Sequence, residues 1–121
     1  MKTTVLSVLF VLGALVTHSQ DTLKTYLMET GHWQAKKKAW KYDPEPAFSY
    51  EVFKIEQGKI YSNLNTYTLT SELMDRRHNI TWNATDQNGK ECLVSLSDNK
   101  GRFFLAIIYD ETCYRYHYYV K

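Results

Sequence analysis

The eight residues His78-Asn79-Ile80-Thr81-Trp82-Asn83-Ala84-Thr85 decide the fold class. Taken with a period of two, His78, Ile80, Trp82 and Ala84 fall on one face, and Asn79, Thr81, Asn83 and Thr85 fall on the other. That alternation belongs to a half-buried β-strand. The polar face carries two N-glycan acceptor sequons, at Asn79 and Asn83, and the apolar face carries Trp82. An acceptor asparagine must face outward and a tryptophan gains by facing inward, so the two signals agree on strand and register.

Working outward, strands are expected near Phe48–Glu56, Lys59–Thr70, Glu91–Ser97, Arg102–Tyr109 and Cys113–Val120. Gln57-Gly58, Asp86-Gln87-Asn88-Gly89, Asp98-Asn99-Lys100-Gly101 and Asp110-Glu111-Thr112 supply the turns between them. Such short connections imply antiparallel hairpins, because parallel strands need long crossovers. In the last strand Tyr114, Tyr116 and Tyr118 share a face, opposite Cys113, Arg115 and His117. The row Phe48, Tyr50, Val52 changes phase to Phe53, Ile55, as a bulge would produce.

The segment before Pro44 has a helical pattern. Asp21 is placed to cap a helix bearing Leu23 and Leu27, and Trp33, Lys37 and Trp40 follow at i, i+4, i+7. The expected architecture is therefore mainly β: an antiparallel curled sheet or small barrel, complete or not, with an N-terminal helix.

Residues 1–19 read as a secretory signal peptide: Lys2, a non-polar run from Val5 to Val16 broken only by Ser7, then Thr17 and Ser19 at −3 and −1. The run is shorter than the ~20 apolar residues of a membrane span. The mature chain, 20–121, is expected to be one secreted domain and a monomer. The whole chain of 121 residues has 15 basic and 13 acidic residues. That balance is too even for a dedicated nucleic-acid binder. In an oxidising compartment Cys92 and Cys113, the only two cysteines, are expected to form a disulfide. Strands two places apart in a flat sheet are ~9.5 Å apart, beyond the ~7 Å Cα limit for a bridge, so this pairing favours curvature.

No catalytic motif is present: there is no G-x-S-x-G, H-E-x-x-H, phosphate loop or C-x-x-C. His32, His78 and His117 are too scattered to suggest a metal site, and no cofactor is implied. The chain is therefore read as a binding protein rather than an enzyme. Ten tyrosines, three tryptophans and five phenylalanines are its compositional signature. Trp40, Trp82, Tyr114, Tyr116 and Tyr118 are the candidate ligand-binding residues, giving apolar walls with indole and phenol handles. Such a cavity suits a small hydrophobic molecule or an amine, whose cation also gains from ring faces. Packing of these rings as a filled core is the alternative. Lys36, Lys37 and Lys38 form a solvated flank, or else a contact with an anionic glycan or lipid headgroups.

Gly31-His32-Trp33 is a G-x-W triplet, and the run from Phe104 to Cys113 (FLAIIYDETC) joins an apolar strand, an acidic turn and a cysteine. With the Trp-bearing stretch Ala39-Trp40-Lys41, these features resemble arthropod salivary lipocalins, most nearly the tick histamine-binding type. The likeness covers about half of the mature chain. It implies an eight-stranded calyx that sequesters histamine, serotonin, leukotrienes or fatty acids as a salivary modulator of host defence. Only six strands are counted here. Amine binding would need inward acids, and Glu51 and Glu56 are the candidates if the phase of their strand turns them in. Helix-then-sheet order also resembles the cystatins, inhibitors of papain-like proteases, with Ile55-Glu56-Gln57-Gly58 at their inhibitory hairpin. A glycosaminoglycan- or receptor-binding effector is the third reading and rests on the lysine cluster.

Overall fold

A computed structural model describes residues 22–76, 78–99 and 101–119. The expected leader, 1–19, lies outside the described residues. Ten strands form one antiparallel sheet: β1 (Thr22–Gln34), β2 (Ala39–Tyr42), β3 (Ala47–Phe48), β4 (Val52–Glu56), β5 (Lys59–Tyr61), β6 (Thr66–Arg76), β7 (Asn79–Asp86), β8 (Glu91–Asn99), β9 (Arg102–Ile108) and β10 (Thr112–Tyr118). Each strand from β4 to β10 pairs with the next, and β1 pairs with both β4 and β10. The sheet thus closes into an eight-stranded up-and-down barrel, with β2 and β3 as additions along β1. Closure leaves fewer free edges than an open sheet of this size.

β2, β3 and β4 are one return strand with two interruptions. All three run antiparallel to β1 along the same edge, with Trp33 opposite Trp40, Leu27 opposite Phe48 and Leu23 opposite Phe53. Pro44 and Pro46 fall in the first break, where neither has an N–H to give to a ladder.

The N-terminal helix is corrected to a 13-residue strand, and no helix occurs among the described residues. Leu23 and Leu27 are four apart, a spacing that also suits a bulged strand. β1 slips register between Thr25 and Leu27, so Leu23 points into the core while Leu27 pairs with His117 on the outer wall. Strand formers Thr22, Thr25, Tyr26 and Thr30 agree with this, but pairing on both edges is what settles it. Trp33 and Trp40 meet across a hairpin whose turn is residues 35–38; their rings lie 5.4 Å apart, edge to face. Seven-residue spacing thus reflects a cross-strand pair, not successive helical turns.

Two further expectations change. The stretch 59–70 is split by a loop at 62–65, closed by Ser62 N–H donating to Asn65 O at 2.7 Å, and β6 then continues to Arg76. The irregularity expected at the end of the row Phe48, Tyr50, Val52 lies within it: Phe48 is opposite Leu27 and Val52 opposite Lys24, so four steps here match three on β1, while the side chains go on alternating. These three side chains face outward, and Ser49, Glu51, Phe53 and Ile55 take the other parity, with Ser49, Phe53 and Ile55 buried. The Gln57-Gly58 turn holds as expected: both residues have positive φ, 45° and 78°, which is the geometry that joins twisted hairpins tightly.

The expected register of β7 also holds, with Ile80, Trp82 and Ala84 in the core. On the outer face Asn79 Nδ2 donates to Ser97 Oγ at 2.8 Å and Asn83 Nδ2 donates to Ser71 Oγ at 3.0 Å.

The expected Cys92–Cys113 disulfide is absent; both are buried free thiols. Period-two geometry explains this. Cys92 lies on the inner face with Val94 and Leu96. Cys113 shares the outer face with Arg115 and His117 and sits beside Gly31, under Tyr42. The barrel wall separates them. Burial pushes the Cys92 thiol up to about 11 and raises that of Cys113, so both stay protonated and unreactive in the folded chain.

Candidate functional site: the mouth of the barrel

The barrel interior has a filled half and an open half. Leu23, Phe53, Ile60, Trp82, Val94, Leu105 and Ile107 are almost completely excluded from solvent and form the packed floor. Turns at 87–90 and 109–111 and the loop at 62–65 surround the opposite end. Two cavities open there, of about 420 and 390 Å³, and they share Met28 and Tyr116. Each is within the range of small-molecule sites, about 300–1,000 Å³.

The larger cavity lies within the mouth and is lined by Tyr67, Tyr109, Tyr114 and Tyr116 together with Asp86 and Asn65. These positions follow from strand parity. Asp86 continues the inward row Ile80, Trp82, Ala84, and Tyr109 continues the row Leu105, Ile107. Asp86 is 9% exposed and fully engaged. Tyr109 Oη donates to its Oδ2 at 2.7 Å, and the N–H groups of Asn88 and Lys90 donate to its Oδ1 at 2.9 Å each. The Tyr109 bond, followed by these backbone bonds and the Lys90 charge, outweighs burial and holds its pKa below the ordinary 3.8. Asp86 is therefore an anion at neutral pH.

The smaller cavity is a side opening between β3 and the 62–65 loop, with Glu51 on its wall. Glu51 Oε1 accepts from Ser62 Oγ at 2.6 Å and from Asn65 Nδ2 at 3.1 Å. Burial, then the Glu51 charge, raises the pKa of the Tyr116 phenol. Burial raises that of Tyr67 too, reinforced by Tyr116, Tyr109 and Glu51. The phenols thus remain protonated, offering both a donor and an acceptor. Charged residues lining the two cavities are Glu51, Asp86 and Lys90. The Lys90 ammonium lies 5.1 Å from the Tyr109 ring centroid, which shows that this aromatic wall accommodates a cation.

The candidate residues from sequence divide three ways. Tyr114 and Tyr116 line the mouth. Trp82 is part of the filled floor and lines neither cavity, its Nε1–H unpartnered among the described residues. Tyr118 is packed beside Phe103, its phenol pushed up to about 12 by burial and then by Asp98. Trp40 is outside the barrel, on the β1–β2 hairpin against Trp33. Glu51 lines the side opening, whereas Glu56 is exposed and accepts from Tyr61 Oη at 2.8 Å. Asp86, Tyr67 and Tyr109 were not singled out from sequence, although the inward rows of β7 and β9 lead directly to Asp86 and Tyr109.

The outer wall carries a second polar cluster. Glu29 Oε1 lies 2.8 Å from Arg115 Nη2 and 2.6 Å from His117 Nε2. Burial would raise the Glu29 carboxyl, but the His117 hydrogen bond and the Arg115 charge prevail and lower it below 4.5. Arg115 stacks 3.6 Å from the centroid of the Tyr42 ring. Tyr42 lies across Gly31, where an added Cβ would be 2.7 Å from its ring. The glycine of the G-x-W triplet thus makes room for this ring on the outer wall. Among the described residues no group of three or more His, Cys, Asp and Glu could hold a metal ion.

The fold and mouth together define a closed eight-stranded antiparallel barrel with one open end, consistent with a lipocalin-like barrel. No family model, curated protein or solved structure matches the chain.

Proposed function

We propose that this protein is a carrier that sequesters a small amphiphilic amine at the mouth of its barrel. The observation that carries the reading is an acidic side chain, Asp86, among Tyr67, Tyr109, Tyr114 and Tyr116 in a cavity of about 420 Å³, with a second, Glu51, on the adjoining cavity of about 390 Å³. A protonated amine gains from both carboxyls and from the ring faces, while its apolar part covers Met28 and Tyr116. Glu51 and Asp86 against the single cation Lys90 leave the lining with one net negative charge, so it favours an amine over a fatty acid's carboxylate. Signal peptide and sequons support a carrier exported from the cell, where a salivary role against host amines would be exercised.

Titration of the purified protein with serotonin, histamine and laurate, followed by intrinsic fluorescence, tests the reading. Saturable binding of an amine that weakens in Glu51→Gln and in Asp86→Asn is expected. Absence of any saturable response to both amines would remove it. A cystatin-like inhibitor is not favoured, because that likeness needs a helix packed on an open sheet and β1 closes a barrel instead.

A further inference from the structure

The three most exposed large apolar side chains among the described residues lie together. Phe48 is 80% exposed, Tyr50 87% and Leu64 71%, and all three line the side opening, with Val52 beside them. Single exposed apolar residues are ordinary, but a cluster around an aperture marks a contact surface. The arrangement follows from strand parity: because Glu51 and Phe53 turn inward, Phe48, Tyr50 and Val52 must turn out. Inside the same opening are Met28 and Tyr116, which also line the mouth cavity. The exposed apolar lip and the mouth cavity therefore meet at these two side chains.

Positive charge borders this lip. Lys24 is paired with Val52 across β1 and β4, and Lys54 follows on the same outer face. Further along β1, beyond the lip, its hairpin carries Lys36, Lys37, Lys38 and Lys41, with Trp33 at 39% exposure. None of these lysines is in an ion pair among the described residues. Of the acids, Glu51 lines the opening itself but turns inward and is bonded by Ser62 and Asn65, Asp43 is 3.2 Å from His32, Glu56 is bonded by Tyr61, and Glu45 lies in the proline-containing loop.

We infer that the side opening docks on an anionic lipid surface, with Phe48, Tyr50 and Leu64 inserted at headgroup depth and the lysines against the phosphates. Aromatic side chains combined with lysines are the composition that settles at such an interface. A protein partner would need a continuous surface to pack against, whereas this lip surrounds a hole. Docking there gives an amphiphile a route between bilayer and barrel without crossing water. The inference uses the opening of the proposed binding site but not the identity of its ligand, so it is tested on ligand-free protein.

The experiment is flotation with phosphatidylcholine vesicles, with and without phosphatidylserine. The wild-type chain is expected to float with the anionic vesicles and much less with the neutral ones. The triple variant Phe48→Ser, Tyr50→Ser, Leu64→Ser should lower partitioning about tenfold, with circular dichroism unchanged because all three sites are on the surface. Lys24→Gln with Lys54→Gln should reduce the response to phosphatidylserine. Leu73→Ser, on exposed β6, should float as wild type does. The inference is overturned if wild type ignores anionic vesicles, or if the triple variant floats equally well. It is also overturned if wild type is retained on heparin without binding vesicles, or is a dimer that the triple variant dissociates.

Discussion

Replacing Asp86 separates the structural and the binding roles of the mouth. In Asp86→Ala three hydrogen bonds to one carboxylate disappear, from Tyr109 Oη at 2.7 Å and from the N–H groups of Asn88 and Lys90 at 2.9 Å. Bonds to a charged acceptor contribute roughly 1.5–3 kcal/mol each before competition from water. The two backbone donors sit in an exposed turn and regain water, so the larger loss is at Tyr109. A total cost of about 2–3 kcal/mol is expected, a large share of the roughly 5–15 kcal/mol that stabilises a typical domain. In a chain of this size that lowers Tm by about 10–20 °C.

Asp86→Asn keeps an acceptor for the turn and places an amide donor towards the Tyr109 oxygen, so its stability cost should be about 1 kcal/mol. Its lost charge should still weaken serotonin about tenfold or more, given about 1.4 kcal/mol per decade. Urea unfolding followed by fluorescence measures the first effect and titration calorimetry the second. The reasoning is refuted if Asp86→Ala stays within about 0.5 kcal/mol of wild type. Unchanged serotonin affinity in a folded Asp86→Asn would equally refute it.

Four further outcomes follow from the same geometry. Trp82→Ala should cost about 3–5 kcal/mol in urea unfolding, because it empties the fully buried floor. Trp82→Phe should cost clearly less, since the indole N–H it removes has no partner. Thiol titration without reductant should find both cysteines slow in the folded chain and fully reactive in denaturant; no thiol on denaturation would contradict the opposed faces of Cys92 and Cys113. Asp86 and Glu29 both have pKa values below their ordinary 3.8 and 4.5. The unfolded chain therefore takes up protons first on acidification, and Tm should fall as pH drops from about 5 towards 3, less steeply in Asp86→Asn.

Much of the barrel was legible where a strand alternates cleanly. The strand containing Trp82 and those from Glu91 to Tyr118 emerge within a few residues of their expected limits, because period two and turn chemistry are local. β1 was not legible. Its slip at Tyr26 breaks the alternation, and its partner β10 lies at the other end of the chain, so nothing nearby in sequence signals that pairing. Strand count suffered for the same reason, since β1 completes the ring and the 62–65 loop divides β5 from β6. The disulfide expectation conflicted with a pattern already visible: if Tyr114 and Tyr116 face in, Cys113 must face out. The aromatic excess likewise had two destinations that composition does not distinguish. Trp82 fills the floor, while Tyr67, Tyr109, Tyr114 and Tyr116 surround space.

The proposal that an amine is held at the mouth rests on Asp86 and its tyrosines. Titrating serotonin into uniformly ¹⁵N-labelled protein and following its amide and indole resonances tests this most directly. Saturable shifts concentrated at Asn65, Asn88, Lys90, Tyr109 and Thr112, with the Trp82 indole unmoved, are the predicted result. Shifts centred on Trp33 and Trp40, or none that saturate, would contradict it.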